Sequence, residues 1–80
     1  MDINNLSAIY LACRRGLLEL DIIIMSFFKS QYINLSNKDK LNFIKLLELD
    51  DIELLNWLIY HKEPPDINFK SIVHLIRQLD

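Results

Sequence analysis

Nucleophilic or metal chemistry in this chain would have to come from one cysteine, Cys13, and two histidines, His61 and His74. A reactive thiolate needs a base beside it, and a metal needs several ligands at short, regular spacings. Neither pattern is present, because the three residues fall on three different predicted helices. Cys13 reads as a small buried hydrophobe. His61 reads as a surface residue complementing a helix end, and His74 as half exposed beside an apolar stripe. The better-placed chemistry is ionic. Arg14-Arg15-Gly16 is followed by Glu19 and Asp21, so two cations and two carboxylates flank the sole glycine of the chain. Such a cluster suits charge-assisted hydrogen bonding. A single glycine also excludes G-x-G-x-x-G and the P-loop, whose glycines let the backbone reach phosphates. The isolated chain is therefore expected to bind no dinucleotide and no metal, and no enzyme site is read in it.

These residues must be positioned by helices. Apolar spacing is helical almost throughout and no period-two segment occurs, which predicts an all-α bundle of about five helices. The first runs from about Asn5 to Arg15, capped by Asn4 or Asn5, with Leu6, Ile9 and Cys13 on one face and Gly16 as a left-handed C-terminal residue. The second runs from about Leu17 to Gln31. Its inner face is Leu20, Ile23, Ile24, Phe27 and Phe28, widened by Leu18, Ile22 and Met25. Ser36 with Asp39 forms a capping box for the third, which carries Phe43, Ile44, Leu46 and Leu47. Asp50 with Glu53, or else Asp51, opens the fourth, which carries Leu54, Leu55, Trp57, Leu58 and Ile59. Pro64-Pro65 is expected to stop it. Asp66 or Asn68 caps the fifth, with Phe69, Ile72, Val73, Ile76 and Leu79 at helical spacing. Leu20, Ile24, Phe28, Phe43, Leu47, Leu58 and Ile72 are expected to be buried.

Length and charge narrow the function classes. Eighty residues make one domain, 1–80, and a hydrophobic fraction of 51% suits a packed core rather than a disordered tail. One cysteine provides no disulfide framework, which points to the reducing cytoplasm. The N-terminus shows no basic region ahead of an apolar run. The most apolar stretch, from Leu17 to Phe28, is interrupted by Glu19 and Asp21 and falls short of the ~20 residues of a membrane span. The formal net charge is −2 with dispersed cations, so a helix-turn-helix nucleic-acid binder is disfavoured.

The charged turn has a purely structural reading. Cations in a last helical turn and an anion in a first turn each complement a helix dipole, for a few tenths to about 1 kcal/mol. Asp21 is expected to pair with Arg14 or Arg15, since an unpaired carboxylate on an apolar helix is costly. Trp57 reads as a core residue whose indole N–H seeks Asp50 or Asp51. The acidic cluster Glu48, Asp50, Asp51 and Glu53 reads as a solvated helix boundary, or as a rim that meets a basic partner.

The same turn also carries a family signature. Arg15-Gly16-x-x-Glu19 resembles the RGxxE motif of the SdhE family, the FAD-assembly (flavinylation) factors of succinate dehydrogenase. The wider string Ala12-Cys13-Arg14-Arg15-Gly16, with Glu19-Leu20-Asp21, is similar to the enterobacterial form. Leu46-Leu47-Glu48, Asp50-Asp51, Leu54 and Asn56-Trp57-Leu58 match the family's acidic pair ahead of a helix bearing Trp-Leu. The resemblance covers nearly the whole chain. It implies a non-enzymatic, chaperone-like assembly factor that binds the flavoprotein subunit of succinate dehydrogenase, and of fumarate reductase. The FAD whose covalent attachment it promotes belongs to that partner. It implies Arg15, Gly16 and Glu19 as the core of the interface, with Arg14 and Asp21 at its rim. Leu18 stands where relatives often carry a charge, and either adds an apolar contact or packs inward. An antitoxin-like role, neutralising a membrane-associated toxin, is the family's other implied reading.

Overall fold

The computed structural model describes residues 1–78, and within them every regular element is helical. The order is α1 (Leu6–Ala12), α2 (Leu18–Gln31), a 3-10 turn (Tyr32–Asn34), α3 (Asn37–Leu47), α4 (Asp51–Leu54) running into a π-helical segment (Leu55–Ile59), and α5 (Ile67–Arg77). The all-α expectation is met. Leu79 of the predicted apolar stripe lies outside the described residues.

Local chemistry sets the helix starts. Asn5 accepts from the Ala8 N–H at 3.2 Å, Ser36 from Asp39 at 3.1 Å, Asp50 from Glu53 at 3.0 Å and Asp66 from Asn68 at 2.8 Å. Each side-chain oxygen satisfies an amide that a first helical turn leaves without a partner. The choice between Asp50 and Asp51 is thereby resolved for Asp50, and that between Asp66 and Asn68 for Asp66.

Two helix ends differ from expectation. α1 stops at Ala12, so Gly16 is not its immediate C-terminal residue but the corner of the connection to α2, at φ +84°. The fourth helix ends at Ile59, well before Pro64-Pro65. Its stop is His61, exposed and left-handed at φ +57°, with the Lys62 N–H donating to the Asn56 carbonyl at 2.8 Å. Histidine is among the non-glycine residues enriched in that conformation.

The core sits where α2, the π-helical segment and α5 meet, with α3 against α5. Leu20, Ile24, Phe43, Leu47, Leu58 and Ile72 are buried as predicted, whereas Phe28 is half-buried against the core. Phe43 is the hub of an aromatic cluster. Its ring centroid lies 5.6 Å from Phe27, 5.6 Å from Tyr32 and 6.4 Å from Phe28. Tyr32 is buried and donates its hydroxyl to the Ile3 carbonyl at 2.6 Å, tying the N-terminal segment down.

Leu18 and Ile22 do not widen the inner face of α2. They are 77% and 56% exposed. Two residues along a helix turn the side chain by about 200°, so positions 18 and 22 point away from Leu20 and Ile24. Leu6 likewise departs from the buried Ile9 and Cys13 and is exposed.

Candidate partner-binding site

The connection between α1 and α2, residues 13–17, is held from two sides. From α2, the Asp21 carboxylate reaches back along the helix. Oδ1 accepts from the Arg15 backbone N–H at 2.6 Å and Oδ2 from that of Gly16 at 3.2 Å. The expected pairing of Asp21 with an arginine is thus realised through the main chain, not a guanidinium. Leu17, the N-cap residue of α2, supplies no side-chain cap, and this carboxylate is with Glu19 one of two anions in the first turn.

From the other side, the Arg15 side chain turns inward. Nε donates to Asp51 Oδ1 at 2.9 Å, Nη1 to the carbonyls of Leu47 at 2.6 Å and Ala12 at 3.3 Å, and Nη2 to the Leu49 carbonyl at 2.6 Å. The Ala12 and Leu47 carbonyls end α1 and α3, where helices leave acceptors without partners, and Leu49 lies in the connection to α4. One planar fork therefore closes two helix ends and meets the start of α4. Of the acidic cluster, Asp51 meets a basic group from its own chain. The sequence offered Asp51 as a rival cap, an indole acceptor or part of an acidic rim, but not as the partner of Arg15, since that role depends on where a distant turn docks.

Between these restraints the motif presents its remaining groups outward. Arg14, Gly16 and Glu19 are exposed, and among the described residues neither Arg14 nor Glu19 has a side-chain ion-pair or hydrogen-bond partner. A Cβ built on Gly16 would meet nothing within 4 Å. Its backbone is thus open to close approach. Leu17 and Leu18 add exposed apolar surface. Alongside runs an open groove of about 500 Å³ lined by Tyr10, Arg14, Leu18, Ile22, Met25 and Lys29, among others.

The other candidates stand apart. Cys13 is fully buried, and desolvation raises its thiol from 9.0 to about 12 against the opposing field of Arg15. His74 Nε2 lies 3.0 Å from Glu63 Oε2, and Glu63 also accepts from Arg77 Nη1 at 2.9 Å. No indole bond from Trp57 to Asp50 or Asp51 forms among the described residues. Asp50 is engaged by the Glu53 amide and Asp51 by Arg15, while the Trp57 ring packs on Phe69 at 5.5 Å. Among the described residues no group of three or more His, Cys, Asp or Glu is arranged to hold a metal ion, and no helix is long and apolar enough to cross a membrane.

Residues 8–80, which include this turn, match the family model described as flavinator of succinate dehydrogenase. The chain is 54% identical over 77 residues to a protein of Serratia sp. named FAD assembly factor SdhE, covering 96% of this chain and 88% of that one. The chain belongs to this family. Other SdhE proteins are similar at full length: that of Pectobacterium atrosepticum is 49% identical over 96% of this chain and 88% of its own, and that of Wigglesworthia glossinidia brevipalpis 49% over 98% and 93%. The charged turn is one folded unit, with Arg15 and Asp21 spent on restraint and Arg14, Gly16 and Glu19 presented to solvent.

Proposed function

We propose that the protein is an assembly factor that binds the flavoprotein subunit of succinate dehydrogenase, and of fumarate reductase, and promotes covalent attachment of FAD within that subunit. The observation that carries this reading is membership of the family across nearly the whole chain. The chain itself contributes no chemistry. FAD belongs to the partner, and a sequence with one glycine has no backbone cradle for a pyrophosphate. The protein acts by binding one conformation of the flavoprotein more tightly than others, which shifts the partner toward the state in which attachment proceeds. The site of action is the cytoplasm, consistent with a single buried thiol and no disulfide framework.

The binding face is built on Arg15, Gly16 and Glu19, with Arg14 and Asp21 around them. Gly16 lets a partner backbone approach, and Glu19 accepts charge-assisted hydrogen bonds. Glu19 is the residue that separates function from folding. It is exposed in the first turn of α2, so Glu19→Ala should cost the fold no more than about 1 kcal/mol. Loss of a charged contact from a desolvated interface costs roughly 2–5 kcal/mol of binding. In cells lacking the native factor, the variant should therefore leave the flavoprotein poorly flavinylated by in-gel flavin fluorescence while keeping a near-normal melting temperature. Full flavinylation by a well-folded Glu19→Ala protein would place the interface elsewhere.

A further inference from the structure

We propose that Arg15 is a positioning residue for the partner-binding face rather than a contact on it, and that Asp51, on a different helix, is the second half of the same device. The proposal rests on the partner-binding reading above. A guanidinium carries five N–H donors. Four hydrogen bonds from Arg15, to Ala12, Leu47, Leu49 and Asp51, engage its three nitrogens, and its side chain is only 16% exposed. Little of its hydrogen-bonding capacity is left for another molecule. What it does instead is fix the height and orientation of residues 13–17 against the junction of α3 and α4. Asp21 fixes the same backbone against α2 through the amides of Arg15 and Gly16. Gly16 sits between two anchors, and Arg14 and Glu19 project from either side of it. Asp51 directs the fork, because the bond from Nε to Asp51 orients Nη1 toward the Leu47 carbonyl and Nη2 toward that of Leu49.

The test uses Arg15→Lys and Asp51→Ala, with Asp50→Ala as the comparison. Lysine keeps the charge but cannot span three carbonyls and a carboxylate. Asp50→Ala removes the α4 cap without touching Arg15. Two quantities are read: the amide signal of Gly16 in the 15N–1H spectrum of the isolated protein, identifiable because it is the sole glycine, and the affinity for the purified flavoprotein. Arg15→Lys and Asp51→Ala should each shift the Gly16 signal and weaken binding by roughly tenfold, and the double variant should be no worse than the weaker single. Asp50→Ala should lose stability yet keep the signal and the affinity. Should Arg15→Lys fail to fold, Asp51→Ala against Asp50→Ala still decides. An unmoved Gly16 signal, unaltered affinity in Asp51→Ala, or losses that multiply in the double variant would overturn the proposal. Failure of the partner-binding reading shows separately, as full binding by Glu19→Ala with the Gly16 signal still responding to Asp51→Ala.

Discussion

Gly16 carries a constraint of the fold that can be separated from the partner contact proposed for it. Its φ of +84° costs an L-residue roughly 1–2 kcal/mol, and a Cβ there would meet no neighbour. Gly16→Ala should accordingly lower the urea midpoint by that modest amount, and Gly16→Asn by less, since asparagine tolerates the left-handed region. Any loss of flavoprotein affinity in Gly16→Ala beyond that strain measures how closely the partner backbone approaches. Cys13 makes the opposite case, a chemically capable group that the fold silences. Its thiol is held at about 12, so the folded state keeps a proton that the unfolded chain releases near 9.0. Stability from this group is fully present below 9.0 and is lost as pH rises from there toward 12. Cys13 should resist a thiol reagent at neutral pH until urea unfolds the protein, and the midpoint of Cys13→Ala should fall less steeply above pH 9.0. The sequence disclosed both residues as types in a context. It did not disclose Asp51 as the partner of Arg15, because a carboxylate at a helix start looks the same whichever group faces it.

Among the elements, helix starts were readable and helix faces less so. Ser36, Asp50 and Asp66 bond amides two or three positions ahead, and such chemistry is contained in a few consecutive residues. Leu18 and Ile22 are apolar on the outer side of α2, where residue type says nothing of direction. The π-helical turn at Leu55–Ile59 has no residue that announces it; its support comes from α5. Arg77 donates to the Trp57 carbonyl through Nε at 2.8 Å, to the Lys62 carbonyl at 2.7 Å and to Glu63 at 2.9 Å. Arg77→Ala strips those carbonyls of their donor, at a cost of about 1–3 kcal/mol. Hydrogen exchange at the Tyr60 and Lys62 amides, which close this turn, should speed up accordingly. The Glu63 carboxyl is held below its ordinary 4.5, first by His74 and then by Arg77. Its contribution is present above 4.5 and fades as pH falls through the lowered value, so Glu63→Gln should flatten the acid limb of the stability profile.

At the scale of the whole molecule, the margin is small. A domain of this length is stable by roughly 4–12 kcal/mol. Phe43 lies at the centre of the aromatic cluster and is fully buried. Phe43→Ala, with a cost of about 3–5 kcal/mol, should consume much of that margin. Phe43→Leu, closer in volume, should cost less, and urea titrations of the two variants beside the native chain test the ranking. Helical apolar spacing foretold an all-α bundle and the family resemblance a surface turn, and both are present. What they left open was how a bundle with one glycine holds that turn still.

The answer bears on what the turn requires of the rest of the chain. The bonds from Arg15 to Leu47, Leu49 and Asp51 bridge 32, 34 and 36 positions of sequence. Closing a ring of that size costs entropy that only a docked α3–α4 junction repays. The turn is therefore complete only when the distant half of the molecule is docked against it, although its own residues are neighbours in sequence. A nascent or half-folded chain carries the motif as letters without carrying it as a surface. The turn thereby certifies that the rest of the molecule is in place.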